Sequence, residues 1–200
     1  SVDDVYNQSD IDDQLPPDDV SYQVFYDDLS PYGNWVDYPA YGYVWIPRIV
    51  GEFHPYATQG HWVMTNYGWT WVSDYRWGCA AFHYGRWAYE TQFGWMWIPG
   101  RVWGPAWVSW RENDDYFGWA PLGPYGNRYA TMGHPHDHYR FVPRRYFTDR
   151  YVYNHCADWH NNVTIINHTT VINETHIVNK NKYYYGPRKD FVEKAVGQKV

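Results

Sequence analysis

The sequence predicts an all-β fold built from tandem antiparallel hairpins, and three observations predict it. Thirteen of the fourteen tryptophans fall between Trp35 and Trp119. They recur in one pattern: Gly-x-Trp, a short polar stretch, Tyr/Phe-Gly, then Trp-x-Pro or Trp-x-Ser. Gly42, Gly68 and Gly94 lie 26 residues apart and Gly118 follows after 24, and a self-similar period of this size marks a repeat architecture. Within each copy the rings alternate: Trp62 with Met64 and Trp69 with Trp71, then Trp87 with Tyr89 and Trp95 with Trp97. Period-two placement puts each pair on one strand face, whereas a helix would scatter it.

The elements follow in order. Residues 1–20 hold Asp, Gln, Ser and Pro16-Pro17 with few apolar anchors, and read as a disordered acidic leader. Ser21–Tyr26 alternates polar and apolar and reads as the first strand. Residues 21–123 form the hairpin-repeat domain, with glycine at the end of each turn (Gly42, Gly68, Gly94, Gly118), where a left-handed backbone reverses the chain. Pro47, Pro99 and Pro121 cannot donate to a ladder and mark strand ends. Residues 124–160, rich in His, Tyr and Arg, have no clean period and read as a loop-like segment against the hairpins. In 161–200 a six-residue pattern runs Asn162–Asn167, His168–Asn173, Glu174–Asn179. Its β-branched content predicts short strands, and rungs of a solenoid are the other reading. Asp190-Phe191-Val192-Glu193 is a capping-box pattern with Gly197 as a stop, predicting one short helix. The hairpins could assemble as a sheet, a barrel or a sandwich.

Composition narrows the function classes. No run of about 18 apolar residues exists to span a membrane. Residues 1–28 carry nine Asp and no Lys or Arg, and from Arg140 onward ten basic residues face five acidic ones. Such runs usually are solvated segments. Cys79 and Cys156 form no CxxC pair, and whether they bridge stays open.

The motifs Leu29-Ser30-Pro31-Tyr32-Gly33-x-Trp35, Tyr41-Gly42-Tyr43-Val44-Trp45, Gly60-His61-Trp62-Val63, Tyr67-Gly68-Trp69-Thr70-Trp71-Val72-Ser73, His83-Tyr84-Gly85-Arg86-Trp87, Gly94–Gly100 and Pro105–Trp110, closed by Gly118–Leu122, span roughly residues 21–123. On them the chain resembles a bacterial family of unknown function with aromatic Tyr-x-Trp-Gly-x-Trp-type repeats, and its Asn/Thr-rich tail is similar to that of members from Bacteroidetes-like bacteria. The resemblance implies export, to the periplasm or surface of a Gram-negative cell, and brings no catalytic residues. Cys79 departs from the pattern, which usually has an aromatic there.

Chemistry-bearing constellations are few. His134-Pro135-His136-Asp137-His138 sets three imidazoles along an extended segment, as a transition metal would require. A solvated polar loop is the plainer reading, and no other cofactor is implied. Cys79 and His83, four apart on a strand, would stand about 13 Å from each other, too far to hydrogen-bond. There is no Gly-x-Ser-x-Gly elbow and no phosphate-cradling glycine loop. Asp114-Asp115 reads as turn-forming. An enzyme is therefore not expected.

The rings could instead bind. Only six Lys/Arg lie between Leu29 and His138, which argues against nucleic acid, since single-strand binders pair stacking with a basic groove. Burying one Trp removes about 150–250 Å² from water, worth roughly 4–6 kcal/mol, so at least two thirds of them should be core. Trp69, Trp95, Trp103 and Trp110 are the candidates for an exposed binding surface, and His61 and Arg86 should face solvent. The expected protein is a non-enzymatic, exported envelope scaffold that docks a protein partner or a cell-wall or surface glycan. The alternatives are a structural subunit of an outer-membrane-associated assembly and a metal-binding protein using His134, His136 and His138. It would have no transmembrane segment, meeting a membrane through a partner or a lost anchor.

Overall fold

Ten of the fourteen tryptophans sit on four hairpins, each an antiparallel strand pair. In the computed structural model, which describes residues 20–124, 136–178 and 180–200, these are β1 (Gly33–Tyr38) with β2 (Gly42–Pro47), β3 (Gly60–Thr65) with β4 (Gly68–Ser73), β5 (Arg86–Glu90) with β6 (Gly94–Ile98), and β7 (Val108–Glu112) with β8 (Tyr116–Pro121). Each register sets tryptophan opposite tryptophan: Trp35 and Trp45, Trp62 and Trp71, Trp87 and Trp97, Trp110 and Trp119. Gly42, Gly68 and Gly94 have φ of +74°, +104° and +72°, the left-handed turn conformation that side chains resist.

Trp45 also pairs with Trp97, joining two hairpins into a sheet of order β1-β2-β6-β5. A second four-stranded sheet has the order β10-β7-β8-β9, with β9 at Arg140–Pro143 and β10 at Thr170–Ile172. β3-β4 stands as a two-stranded unit, as does β11 (Thr175–Val178) with β12 (Asn181–Tyr184). Among the described residues no sheet closes into a barrel. The helices are short: α1 (Tyr22–Leu29), α2 (Gly78–His83), α3 (Asn162–Ile166) and α4 (Lys189–Val196). None is long and apolar enough to cross a membrane.

The Gly-x-Trp motif has a packing reason. A Cβ on Gly33 would lie 2.6 Å from Trp45 Nε1, one on Gly60 2.7 Å from Trp71 Cε2, and one on Gly85 2.8 Å from Trp97 Nε1. The indole of the return strand therefore lies across the bare glycine of the outgoing strand.

Ten of the fourteen tryptophans are buried: Trp45, Trp62, Trp69, Trp71, Trp77, Trp87, Trp95, Trp97, Trp110 and Trp119. Phe147 anchors this core, with ring centroids 4.8 Å from Trp69, 5.1 Å from Phe117 and 5.9 Å from Trp110. Buried indole N–H groups seek acceptors, and for four of them carbonyls outside the hairpin strands serve. Trp45 donates to Leu29 (3.0 Å), Trp69 to Pro187 (2.8 Å), Trp97 to Tyr84 (2.8 Å) and Trp119 to Tyr56 (2.6 Å). The rings thus fix the loops as well as filling the interior.

Several expectations are corrected. Ser21–Tyr26 is not a strand: residues 22–29 are helical, because the buried pair is Phe25 and Leu29, four apart on one helix face. Gly118 ends no turn. The fourth turn is Asn113–Asp115, where Asn113 Oδ1 accepts the N–H groups of Asp115 (2.9 Å) and Tyr116 (2.8 Å). Gly118 lies inside β8, paired with Phe141. Residues 124–160 are not all loop, since β9 completes a sheet. Of the six-residue copies, the first is α3, with Asn162 and Ile166 buried four apart, while the other two supply β10 and β11. α4 ends at Gly197 (φ +77°) as expected, but Arg188 is its N-cap and Asp190 sits in its first turn. The expectation for residues 1–20 falls, except for Val20, outside the described residues.

Candidate binding surfaces

Two concave surfaces gather the rings that the core leaves out. The first is a groove of about 520 Å³ between α1 and the sheet. Tyr22 and Tyr26 project from one face of α1, Trp35 from β1, Tyr41 from the first turn and Tyr43 from β2, with Ile98 and Pro99 at the end of β6. Tyr26 lies 5.8 Å from Trp35 at 30°. Tyr43 is 67% exposed, Tyr22 56% and Tyr26 53%. The Trp35 indole N–H is shielded and has no hydrogen-bond partner in the protein. Arg101 packs beside Tyr22, its guanidinium 5.9 Å from that ring and its Nε donating to the Val20 carbonyl at 2.8 Å.

The second surface is a smaller cleft of about 250 Å³. His54, 3% exposed, forms its floor. Its Nδ1 lies 3.0 Å from the Pro55 carbonyl, while Nε2 has no hydrogen-bond partner in the protein. Burial first and the nearby Arg140 cation second hold this imidazole well below its ordinary pKa, against the pull of the Pro55 and His138 backbone. Burial likewise lowers His138, against Asp137. Trp95 packs between the two histidines, 5.1 Å from His54 and 4.8 Å from His138. Arg140 is buried, its Nη1 donating to the carbonyls of Asp137 (2.6 Å) and Tyr139 (2.8 Å). Buried Asn162 on α3 fixes this corner by donating to the carbonyls of His136 (2.7 Å) and Tyr139 (2.8 Å). Tyr89 and Trp159, 50% and 41% exposed, stand at the mouth.

Residues 26–126 match the model of a family of unknown function, DUF6600. The chain belongs to this family. No curated protein and no solved structure matches it. The DUF6600 segment supplies most of the groove, from Tyr26 to Pro99. The cleft instead joins family residues (His54, Tyr89, Trp95) to others beyond the matched span (His138, Arg140, Trp159).

The sequence-derived candidates divide. Trp69 and Trp110 are buried at 1% and 2% and offer no face to a ligand. Trp69 donates to Pro187, and Trp110 packs on Trp62 at 4.6 Å. Trp103 is half-buried, wedged between His83 and Tyr67. Trp95 reaches the cleft, where it meets His138. His134 lies outside the described residues, and His136 is exposed. Among the described residues no group of three or more His, Cys, Asp or Glu is placed to hold a metal ion. His61 and Arg86 are half-buried, not solvent-facing: His61 lies 3.3 Å from Arg150, and Arg86 stacks 3.8 Å over Trp107. Cys79 and Cys156 are free thiols, both half-buried. Cys79 and His83 share helix α2 instead of a strand, so the 13 Å separation does not apply. The His83 ring is engaged by the Gly104 carbonyl at 2.9 Å and by Trp103.

Sequence reasoning missed Tyr22, Tyr26, His54 and Arg140. Tyr22 and Tyr26 had a readable signal, an i,i+4 pair that flanks the buried i,i+4 pair Phe25 and Leu29. His54 and Arg140 had none, because only long-range packing brings them together.

Proposed function

We propose that this chain is a non-enzymatic docking module of the bacterial cell envelope, holding an extended, proline-containing segment of a protein partner in the aromatic groove. The observation that carries it is the gathering of Tyr22, Tyr26, Trp35, Tyr41 and Tyr43 on one concave surface, in a chain that buries ten of its fourteen tryptophans. Exposed aromatic groups of this kind mark interaction sites, and aromatic-lined grooves suit the preformed polyproline II conformation. Such a segment has no internal hydrogen bonds and presents solvated carbonyls. The Trp35 N–H is a donor without a partner, and the Tyr22, Tyr26 and Tyr43 rings stand exposed around it. Amphipathic rings of this type bind with little entropy loss. Placement outside the cytoplasm is part of the proposal and rests on the resemblance noted from the sequence.

A glycan is the second reading, favoured by one observation, the cleft around His54. The groove reading is tested by placing a photo-crosslinking residue at Tyr43 or, as control, at exposed Val171 in native cells. Crosslinks to one protein from position 43 only, lost when Tyr26 and Trp35 are replaced by alanine, are expected. Equal labelling from both positions, or labelling that survives the replacements, refutes it.

A further inference from the structure

The cleft around His54 has the makings of a second, separate site. Its floor is a side chain 97% removed from solvent, taken from its 3% exposure, with no protein hydrogen bond at Nε2 and the His138 backbone near the ring. A buried polar atom without a hydrogen bond is costly, so the arrangement calls for a complementary group. With Nδ1–H donated to Pro55, the neutral ring leaves a lone pair at Nε2, and a lone pair accepts from O–H or N–H. A cation is disfavoured beside the Arg140 guanidinium. An anion would meet the exposed Asp137 carboxylate that flanks the cleft. The occupant is therefore neutral and carries a donor.

Its remaining surface must be apolar and flat. Trp95 forms one wall, and the exposed ring of Trp159 stands at the rim. The volume, about 250 Å³, suits one ring-sized guest. A group with an apolar face and hydroxyls around its edge meets all three demands.

We propose that the His54 cleft binds a single neutral pyranose ring, its apolar face on Trp159 and Trp95 and one hydroxyl donated to His54 Nε2. The ring is either a free monosaccharide or the terminal unit of a glycan. The site is independent of the aromatic groove, which lies on α1, β1 and β2.

The test is nitrogen-edited NMR of the full chain, following the His54 imidazole and the Trp95 and Trp159 indoles. The probes are methyl pyranosides of glucose, galactose, mannose and N-acetylglucosamine, glucuronate, and linear tetrasaccharides of glucose and of N-acetylglucosamine. At least one neutral pyranoside, at about 10 mM, enough to occupy most of a site with a Kd near 1 mM, moves the unprotonated His54 Nε2 signal upfield. A methyl pyranoside that saturates as well as its tetrasaccharide identifies the free sugar; tighter binding by the tetrasaccharide identifies a chain end. Trp159→Ala, a rim change that leaves the core intact, weakens binding about tenfold or more. His54→Phe abolishes it, and should that variant not fold, the wild-type His54 signal carries the same information. Tyr43→Ala leaves it unchanged. No perturbation of His54 and Trp159 by any neutral sugar, glucuronate binding as well as glucose, or perturbations confined to Tyr26, Trp35 and Tyr43 would each overturn the proposal. The last result would leave the groove reading standing, and failure of crosslinking at Tyr43 leaves this one untouched.

Discussion

Replacing Gly118 with alanine tests whether the glycine of the last repeat serves packing instead of a turn. Gly118 lies opposite Phe141 across the β8–β9 pair. A methyl group at Gly118 would penetrate the Phe141 ring at Cδ1 and Cε1, with Cζ at 3.1 Å. Phe141 is fully buried and touches Tyr139 at 5.6 Å and Tyr116 at 6.5 Å, so the ring has no solvent to swing into. Overpacking of this kind costs about 1–3 kcal/mol. Phe141→Ala alone should cost about 3–5 kcal/mol as a large-to-small core change. In the double variant the new methyl occupies space the ring has vacated, so the two losses should not add. Urea unfolding of the four proteins gives a coupling of about 0.5–3 kcal/mol in favour of the double variant, the range for residues in contact. Gly94→Ala is the control: nothing lies within 4 Å of its Cβ, but φ is +72°, so its cost of roughly 1–2 kcal/mol should be indifferent to Phe141. Additive losses at Gly118 and Phe141 would refute the packing argument.

Phe147→Ala should cost about 3–5 kcal/mol, since its ring joins Trp69, Trp110 and Phe117; a shift in urea midpoint worth under about 1 kcal/mol contradicts that role. N-Bromosuccinimide with mass spectrometry should oxidise Trp159 before Trp69 or Trp110, given 41% exposure against 1% and 2%, and equal rates would count against the burial described. Stability should fall on acidification. Burial, helped by Arg140, holds His54 well below its ordinary value, and burial holds His83 down too. The unfolded chain, with ordinary histidines near pH 6.5, then binds more protons than the folded one. Stability is therefore complete above about pH 6.5 and declines below it by up to about 1.4 kcal/mol per pH unit for each ring. Urea midpoints that stay flat between about pH 7.5 and 5.5 rule this out. Both thiols should react slowly with a disulfide reagent while folded and quickly once unfolded, because burial pushes Cys156 up to about 12 and raises Cys79, beside Asp28; fast labelling of the native protein contradicts it.

The first three hairpins were legible because two local signals coincide at each one. Trp62, Met64, Trp69 and Trp71 alternate, and Gly68 sits where the chain must turn with positive φ. Where only one signal exists, reading fails. Gly118 keeps the Tyr/Phe-Gly spacing but not the turn, because Asn113 makes the turn with its own side chain three residues before Tyr116. Phe147 shows the other limit. It lies just past a short Arg144–Tyr146 turn with no periodic neighbours, and its importance comes entirely from sequence-distant rings.

The groove and the cleft were hidden by two different physical effects. In Ser21–Tyr26 the alternation of Tyr22, Val24 and Tyr26 is compatible with a strand, on which those three would share a face. The segment is helical because Phe25 must reach Tyr84 and Trp97, at 5.2 and 5.3 Å, while Leu29 one turn later is also buried. That choice turns Tyr22 and Tyr26 outward together and aligns them with Trp35, so the misread period and the missed groove are one error. The cleft has no misreading behind it. Trp95 and His138 were both singled out, one as a ring and one as a metal ligand, and nothing local links them. The pairing of β9 with β8 and the hold of Asn162 on the His136 and Tyr139 carbonyls bring His138 over Trp95 and place Arg140 beside His54. The unmet nitrogen of His54 exists only once that long-range packing has formed, and a site whose chemistry is created by burial leaves no motif in the sequence.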